Sequence, residues 1–449
     1  MNYSESNAGT KGTTDHDSYP PSAQGWGAVG VLCVLYVLSL MDRNIMALLA
    51  DAVGSELQLS DVELGLLYGA AFAIVYSIAG LPLGWAIDRF NRRVVIWAGV
   101  VCWSLSTVAC GLSRNFAALF AARAGVGAGE AALVPGSQSI LADMFPPDRL
   151  ALPMSVYGLG AKIGGGLSFI IGGVLTVLFP VHQTFEILGL GTLKGWQLVF
   201  IAAGLPGLVI SFAMFAIPEP ARRRLSTPRA SGKSTYGDYI RYMKENFRFF
   251  FGYHAGNIAL LAVSNGISTW TPAFFSRVHG WSTDQIGSWL GLAMLIGPLI
   301  GIPIHGAVAD HLFRRGKRDA HLYYFKRVLL ASAVPAALAY VVESPWVALA
   351  LITIAQSLLT GYIGLLSTSL QLMVPGDLRG KAASVALLIV GLAGMAFGPS
   401  LVGILTDRIF VDRSQVGSSL IVCIAVGLPL ASALFGLAQK PMREHLKVI

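Results

Sequence analysis

Five ionisable side chains lie inside long apolar segments of this sequence: Asp42, Arg43, Arg123, Glu130 and Lys162. A charge at the centre of a membrane helix costs roughly 2.5 to 3.5 kcal/mol on insertion scales, so each of them needs a partner or a water-filled cavity. Burial favours the neutral form of a carboxyl group, whereas a neighbouring cation favours the charged form. A cation that moves away and returns would therefore switch a carboxyl group between binding and releasing a proton, which is what a proton-coupled carrier requires.

The positions of these residues indicate which of them can pair. Asp42 and Arg123 lie at similar depths in their segments, at about 1.5 Å per residue, so a contact between them is feasible. Glu130 follows Arg123 by about two helical turns and lies at nearly the depth of Lys162, which makes these two a second candidate pair. Arg43 points roughly 100° away from Asp42 around its helix.

We hypothesise that Asp42 and Glu130 take up protons, and that protonation frees Arg43, Arg123 or Lys162 so that the molecule can close. The alternative is that all five charges form fixed bridges within one helix bundle. For Arg123 both interpretations stay open, whereas for Asp42 and Glu130 we favour proton coupling.

The composition excludes a water-soluble fold. Hydrophobic residues make up 54% and charged residues 12% of the 449 positions, whereas about 25% of a soluble domain is charged. The four cysteines fall in apolar segments without a CxxC pair and are expected to be small core residues. His254, His305 and His311 are too scattered for a metal site. Neither a nucleophile with a base nor a nucleotide-binding loop is visible, so we predict no enzyme and no cofactor, with protons as the coupling ion.

Apolar segments long enough to cross about 30 Å of hydrocarbon as helices occur twelve times. They lie near 26–50, 62–86, 94–112, 116–142, 150–179, 196–217, 249–275, 284–308, 323–342, 346–374, 381–406 and 417–438. The predicted fold is all-α, a polytopic membrane protein with twelve transmembrane helices in two pseudo-symmetric six-helix bundles.

Domain boundaries follow from these segments. Residues 1–25 form a disordered cytoplasmic tail, and 26–217 form the N-terminal bundle. A cytoplasmic linker, 218–248, precedes the C-terminal bundle at 249–438, and 439–449 form a second cytoplasmic tail. Most of the 32 Lys and Arg residues fall in the segments on the side of the termini, and this asymmetry places both termini in the cytoplasm.

One short motif occurs twice, at equivalent places in the two halves. Gly84 to Arg93 reads GWAIDRFNRR, and Gly306 to Arg315 reads GAVADHLFRR. Both copies lie between the second and third predicted span of their half. Such a repeat supports two related bundles, as in transporters built from parallel repeats.

The repeated loop resembles the signature of the major facilitator superfamily, with Asn91 where a glycine is usual. The resemblance covers about residues 26 to 440. It implies alternating access and a cytoplasmic gate, which we assign to Asp88, Arg89, Arg92, Asp310 and Arg314. Asp88 would meet a helix N-terminus or an arginine when the inner side is shut.

The first half also resembles the spinster family of lipid transporters. The similarity lies in Tyr36 to Arg43 (YVLSLMDR), Arg123 to Ala131 (RAGVGAGEA) and Leu141 to Phe145 (LADMF), together with the loop at 88–92. It implies a bacterial homologue, expected to be monomeric in the inner membrane, that carries an amphipathic lysolipid or sphingoid-type substrate with proton coupling. Arg43 or Arg123 would meet an anionic headgroup.

Two alternatives remain at this stage. The superfamily's organic-anion:proton symporters carry a similar Asp-Arg pair and a similar Arg to Glu spacing. A membrane receptor or scaffold that transports nothing could have the same helices, although it has little need for buried acids. In the second half Asn265, Trp270, Gln356 and Tyr362 are polar residues among apolar ones, and they form a candidate neutral cavity wall opposite the cations.

Overall fold

The structure is a computed structural model that describes residues 19–146, 149–187, 189, 191–222, 236–375 and 378–448. Residues 1–18 of the predicted tail and residues 223–235 of the predicted linker lie outside this range. Some side chains within helices, including that of Lys162, are also outside the described part.

Six long helical segments form the first half, and we number them as spans in chain order. Three of them are interrupted or change their winding. Span 1 is Ser22–Leu48, span 2 is Asp61–Tyr68 with Ala70–Arg89, span 3 is Arg92–Leu112, span 4 is Phe116–Glu130 with Leu133–Met144, span 5 is Ala151–Leu178, and span 6 is Gly195–Ile210 with a 3₁₀ segment at Ser211–Ala216. A short helix, Ala50–Glu56, follows span 1.

The second half repeats this arrangement after a linker helix at Tyr236–Glu245. Span 7 is Phe247–His279, span 8 is Thr283–Gln285 with a π-helical turn at Ile286–Leu290 and Gly291–Arg314, span 9 is Ala320–Leu338, span 10 is Pro345–Leu359 with Tyr362–Met373, span 11 is Arg379–Ile404 with a π-helical segment at Leu405–Phe410, and span 12 is Val416–Val448 after a 3₁₀ turn at Arg413–Gln415. The interruptions in spans 4 and 10 occupy equivalent positions, which agrees with the internal repeat.

Packing between helices follows the same pattern in both halves. Span 1 packs along span 5, span 3 along spans 4 and 6, and span 2 along span 4. In the second half span 7 packs along span 11, span 9 along spans 10 and 12, and span 8 along span 10. The prediction of an all-α fold with two pseudo-symmetric bundles is therefore confirmed.

Ten helical segments of the described chain are long and apolar enough to cross a membrane. Spans 9 and 11 are the other two long helices, and they complete the alternating path of the chain.

Two details differ from the sequence prediction. A β-hairpin, Thr184–Ile187 paired with Gly191–Lys194, joins spans 5 and 6. Span 12 continues to Val448, ten residues beyond its predicted end.

The two ends of the spans define two faces. The terminal face carries the start of span 1, the end of span 12 and the linker helix, whereas the far face carries residues 49–60, 179–187, 191–194 and 411–415. The bundles pack tightly toward the far face. A Cβ atom on Gly166 of span 5 would lie 2.7 Å from the carbonyl oxygen of Gly291 in span 8. One on Gly65 of span 2 would lie 2.7 Å from that of Pro399 in span 11.

Candidate functional site

Glu130 and Arg43 form a buried ion pair between spans 4 and 1. The Nη2 atom of Arg43 lies 2.6 Å from Oε2 of Glu130. Ser39 lies one helical turn before Arg43, on the same face of span 1, and donates to the same oxygen at 2.8 Å. The side chain of Glu130 is 1% exposed and that of Arg43 is 22% exposed. The carboxylate is therefore enclosed, while the arginine side chain is partly exposed.

The sequence around Glu130 explains how span 4 brings this residue to the pair. A Cβ atom on Gly127 would lie 2.5 Å from the carbonyl oxygen of Phe72, and one on Gly129 would lie 2.5 Å from that of Gly99. Only glycine permits such close approach of span 4 to spans 2 and 3. Glu130 then ends the first helix of span 4, before the interruption at 131–132.

Aromatic rings surround the arginine of this pair. The guanidinium carbon of Arg43 lies 4.2 Å from the ring centroid of Phe72 and 5.9 Å from that of Tyr76. Phe72 and Tyr76 stack on each other with centroids 5.4 Å apart, and Tyr36 stacks on Tyr157 at 5.0 Å. Ring faces attract a cation, so Arg43 is held by aromatic contacts as well as by Glu130.

Arg123 has a different environment from Arg43. It is 1% exposed, and its Nη1 donates to the backbone carbonyl of Asp42 at 3.1 Å. Its Nε lies 3.5 Å from the carbonyl oxygen of Leu67, just before the interruption of span 2 at Gly69. Arg123 therefore links backbone groups of spans 1 and 2.

Asp42 is also buried, with 2% exposure. Its Oδ1 atom has no hydrogen-bond partner among the described residues. Spacing predicted a contact between Asp42 and Arg123, and the structure brings them together through the backbone carbonyl of Asp42 rather than through its carboxylate. A buried carboxyl oxygen without a donor is costly in its charged form, so Asp42 keeps the features of a proton-binding group.

Glu130 has a charged partner, Arg43, that depth alone did not suggest, and its pairing with Lys162 stays a prediction. Depth favoured Lys162, whose side chain lies outside the described residues. In the structure Arg43 pairs with Glu130, because the angle of about 100° that separates it from Asp42 turns it toward span 4.

Three of the four polar candidates of the second half use their polar atoms in helix packing. Trp270 is fully buried and donates from Nε1 to the carbonyl oxygen of Pro399 at 2.9 Å. Asn265 donates to the carbonyl oxygens of Leu261 and Gly394. The amide of Gln356 meets the sulfur of Met294 at 3.7 Å. These contacts stabilise the C-terminal bundle.

Tyr362 occupies a different position, at the start of the second helix of span 10 and directly after its interruption. It is half-buried and lies near enough to Tyr36 for their hydroxyl groups to interact electrostatically. Among the four candidates, Tyr362 is the one that faces the aromatic residues around Arg43.

A family model for the Major Facilitator Superfamily matches residues 32–399. The chain belongs to the Major Facilitator Superfamily. Its members are transporters, so this chain is a transporter rather than an enzyme, and the predicted superfamily is confirmed.

Similar proteins place the chain near the spinster transporters of this superfamily. An MFS-type efflux pump of Mycolicibacterium smegmatis is 26% identical over 439 residues, covering 96% of this chain and 97% of that protein. Protein spinster homolog 3 of Danio rerio is 25% identical and covers 85% and 77%. The hexuronate transporter of Bacillus subtilis is 24% identical and covers 83% and 86%.

A solved structure with the same fold is that of a bacterial homologue of the human lysosomal transporter Spinster, in an inward-facing and unoccupied conformation. The TM-score is 0.77 at 22% sequence identity, with 95% of this chain and 98% of that chain covered. The predicted resemblance to the spinster family is confirmed as a similarity in sequence and in fold.

The superfamily loop between spans 2 and 3 contains a buried arginine cluster. Arg92 is 1% exposed, forms an ion pair with Asp143 of span 4, and lies 2.8 Å from Oε1 of Glu219 beyond span 6. Arg92 thus joins spans 3 and 4 to the start of the linker. Asn91, which replaces the usual glycine, caps span 3 by accepting from the backbone N–H of Arg93 and Val94. This position has a φ of −61° and does not need glycine.

Other predicted gate residues are accessible in this structure. Asp88, Arg89, Asp310 and Arg314 are exposed at the terminal face. The guanidinium of Arg89 lies 5.1 Å from the ring centroid of Trp85 in its own helix. The charged side chains of these four residues are therefore exposed at the terminal face rather than buried between the two bundles.

Sequence reasoning missed a charge cluster at the far face, formed by Asp51, Asp61, Arg277 and Arg413. Arg277 of span 7 lies 2.7 Å from Asp51 and contacts both carboxylate oxygens of Asp61, at 2.6 and 3.0 Å. Arg413 donates to the carbonyl oxygen of Leu59 and lies 3.8 Å from Asp61. Asp61 is fully buried. The first bundle supplies the acids and the second bundle the bases, so the cluster bridges the two bundles.

Backbone strain occurs beside this far-face cluster. Gln58 has a φ of 53° and Val411 a φ of 55°, and they are the two residues other than glycine with positive φ in the described chain. A left-handed conformation is costly for a β-branched residue such as valine. The one signal of this cluster in the sequence is that its charged residues lie at or between predicted span ends, but their pairing joins distant parts of the chain.

The described residues contain no group of three or more His, Cys, Asp or Glu side chains that could hold a metal ion. His305 contacts the Tyr324 hydroxyl at 2.8 Å and the carbonyl oxygen of Ser357 at 3.0 Å. These contacts hold spans 8, 9 and 10 together.

Proposed function

We propose that this chain is a proton-coupled secondary transporter that moves an amphipathic, lipid-like solute of the lysolipid or sphingoid type by alternating access. The observation that carries the proposal is the ion pair of Arg43 and Glu130, in which an enclosed carboxylate meets a partly exposed cation. No cofactor enters the proposal, and protons are the coupling ion.

Protonation of Glu130 removes the negative charge that holds Arg43 by a charge-assisted contact. Arg43 is then free to bind an anionic headgroup, and deprotonation returns it to Glu130. Competition between a proton and a substrate for the same ion pair couples their movements. Asp42, which is buried one residue away, is a second site for a proton in this scheme.

The surroundings of Arg43 support a substrate with both a charged and an apolar part. The rings of Phe72 and Tyr76 lie beside the cation, and Tyr36 is near enough to interact with it electrostatically. Tyr362 brings a hydroxyl group from the second bundle. A headgroup at Arg43 and a chain along the aromatic surface would match this arrangement.

The conformation described here is, on this proposal, closed to the outside and open to the cytoplasm. The far face is held by the charge cluster of Asp51, Asp61, Arg277 and Arg413 and by close backbone contacts. Exposed Asp88 and Asp310 at the terminal face are the gate acids of the cytoplasmic side, in a bacterial inner membrane with both termini inside.

Transport by reconstituted protein tests the proposal directly. Vesicles with an imposed pH gradient and a fluorescent lysophospholipid report flux for the unmodified protein, Glu130→Gln, Asp42→Asn and the control Glu186→Gln. We expect gradient-driven flux to fall about tenfold or more in Glu130→Gln, because loss of a hydrogen bond to a charged group costs roughly 1.5 to 3 kcal/mol. Glu186 is exposed in the hairpin, so its variant should behave like the unmodified protein. Full pH-driven flux in both Glu130→Gln and Asp42→Asn contradicts the coupling scheme.

An organic-anion:proton symporter is the second candidate function. The similarity to a hexuronate transporter supports it, and Arg43 would bind a carboxylate as well as a lipid headgroup. A series of anions with increasing acyl chain length separates the two candidates, because only a lipid carrier gains affinity with each added methylene. Ligand binding without any flux in vesicles would instead favour a receptor or scaffold.

A further inference from the structure

We infer that Ser39 is a positioning residue for the proton site, because its hydroxyl holds Glu130 in place in both protonation states while Arg43 binds only the charged state. This inference rests on the proposed proton coupling at Glu130. Ser39 is 2% exposed and Glu130 is 1% exposed, so water does not compete for their contact in this conformation.

The two oxygens of the Glu130 carboxylate have unequal surroundings. Oε2 accepts from Ser39 Oγ at 2.8 Å and from Arg43 Nη2 at 2.6 Å. Oε1 is buried and has no partner among the described residues. Both donors come from one face of span 1, one helical turn apart. The contact of span 1 with the carboxylate thus depends on one oxygen, and no described residue donates to the other.

A serine hydroxyl can donate and accept, whereas a guanidinium can only donate. When Glu130 is charged, Ser39 and Arg43 both donate to it. When Glu130 is protonated, its O–H can donate to Ser39 Oγ, whose own hydrogen turns to another acceptor. The Glu130 carboxyl group is then neutral and no longer forms an ion pair with Arg43. Protonation therefore releases Arg43 without releasing span 4 from span 1.

Several other titratable or charged groups surround Glu130 and belong to this account. Those close enough to interact electrostatically are Tyr36, Asp42 and Arg43 on span 1, Tyr76 on span 2 and Arg123 on span 4. Lys162 is on span 5, and its side chain lies outside the described residues. Ser39 differs from all of them because it carries no charge and contacts the carboxylate directly.

Infrared titration of the purified full-length protein tests the inference without a substrate. The infrared absorbance of protonated carboxyl groups is followed against pH. The absorbance that is present in the unmodified protein and missing in Glu130→Gln belongs to Glu130. In Ser39→Ala we expect this absorbance to titrate about half to one pH unit higher, because the hydroxyl stabilises the charged form more than the neutral form. Ser39→Thr keeps the hydroxyl and should titrate like the unmodified protein. Ser39→Cys, similar in size with a weak donor, should shift in the same direction as Ser39→Ala.

Ser104→Ala serves as the matched control, because Ser104 is a buried serine of the same bundle whose hydroxyl oxygen has no partner among the described residues. It should leave the titration unchanged. If Ser39→Ala and Ser39→Cys both titrate like the unmodified protein, the role of Ser39 is refuted while proton binding by Glu130 stands. If Glu130→Gln removes no titrating band, the proposed proton coupling at Glu130 is itself wrong.

Discussion

Two arginines of the first bundle lie inside the membrane, yet their chemistry differs. Arg43 meets a carboxylate and aromatic rings and is 22% exposed. Arg123 is 1% exposed and donates to backbone carbonyl groups of two neighbouring spans. An arginine bound to carbonyl groups stays charged and in place, whereas one bound to a carboxylate can be released by a proton. We therefore assign substrate contact to Arg43 and a structural role to Arg123.

Arg43→Met should weaken binding of an anionic lysolipid by about tenfold or more, because contacts to charged groups are worth roughly 1.5 to 3 kcal/mol. Binding of a radiolabelled lysolipid to purified protein measures this change. The control Arg114→Met removes the same charge from an exposed loop residue and should leave affinity unchanged. Equal affinities of Arg43→Met and the unmodified protein would exclude Arg43 from the headgroup site.

At the scale of residues, the sequence predicted which charged side chains lie within the first bundle, but not all of their contacts. Residue type and depth were sufficient to select Asp42, Arg43, Arg123 and Glu130. Partner choice depends on the rotation of each helix and on the interruption after Glu130. Depth gave neither of these, so it did not predict the contact of Arg43 with Glu130.

At the scale of elements, glycines decide where the bundles can meet. Span 5 carries adjacent glycines with different surroundings. A Cβ atom on Gly166 would lie 2.7 Å from the carbonyl oxygen of Gly291 in span 8, whereas one on Gly165 would meet nothing within 4 Å. Glycines are frequent in the sequence of span 5, but the sequence does not show which of them faces the other bundle.

Gly166→Ala should therefore separate spans 5 and 8 and weaken closure of the far face. We expect a lower midpoint of thermal unfolding, with a loss of about 1 to 3 kcal/mol as for overpacked sites. The neighbouring Gly165→Ala is the matched control and should change stability by less than about 0.5 kcal/mol, or raise it slightly through its helix propensity. Thermal unfolding of both variants in the same detergent provides the comparison, and equal midpoints would argue against tight contact of these spans.

At the scale of the whole molecule, the repeat and the span pattern predicted the architecture, because hydrophobic length and an internal repeat are properties of the sequence itself. Contacts between the two bundles were not predicted from the sequence. Arg277 meets Asp51 and Asp61 across more than two hundred residues, and on the proposed function these contacts belong to the state that is closed at the far face. Sequence patterns describe elements well, but they do not describe contacts that depend on one conformation of a moving protein.

The far-face cluster should set the balance between the two conformations. Arg277→Met leaves fully buried Asp61 without its bidentate partner, and loss of one partner of a buried pair costs roughly 3 to 5 kcal/mol. That cost applies to the state closed at the far face, so Arg277→Met should favour the state open there.

Spin labels at exposed Ser55 and Gln415, on a background with the four cysteines replaced by alanine, should report a longer distance. Arg408→Met removes an exposed arginine of the same face and should leave the distance distribution unchanged. An unchanged distribution in Arg277→Met, with the protein folded, would mean that the close contacts of the glycine-containing spans hold this face shut without the charges.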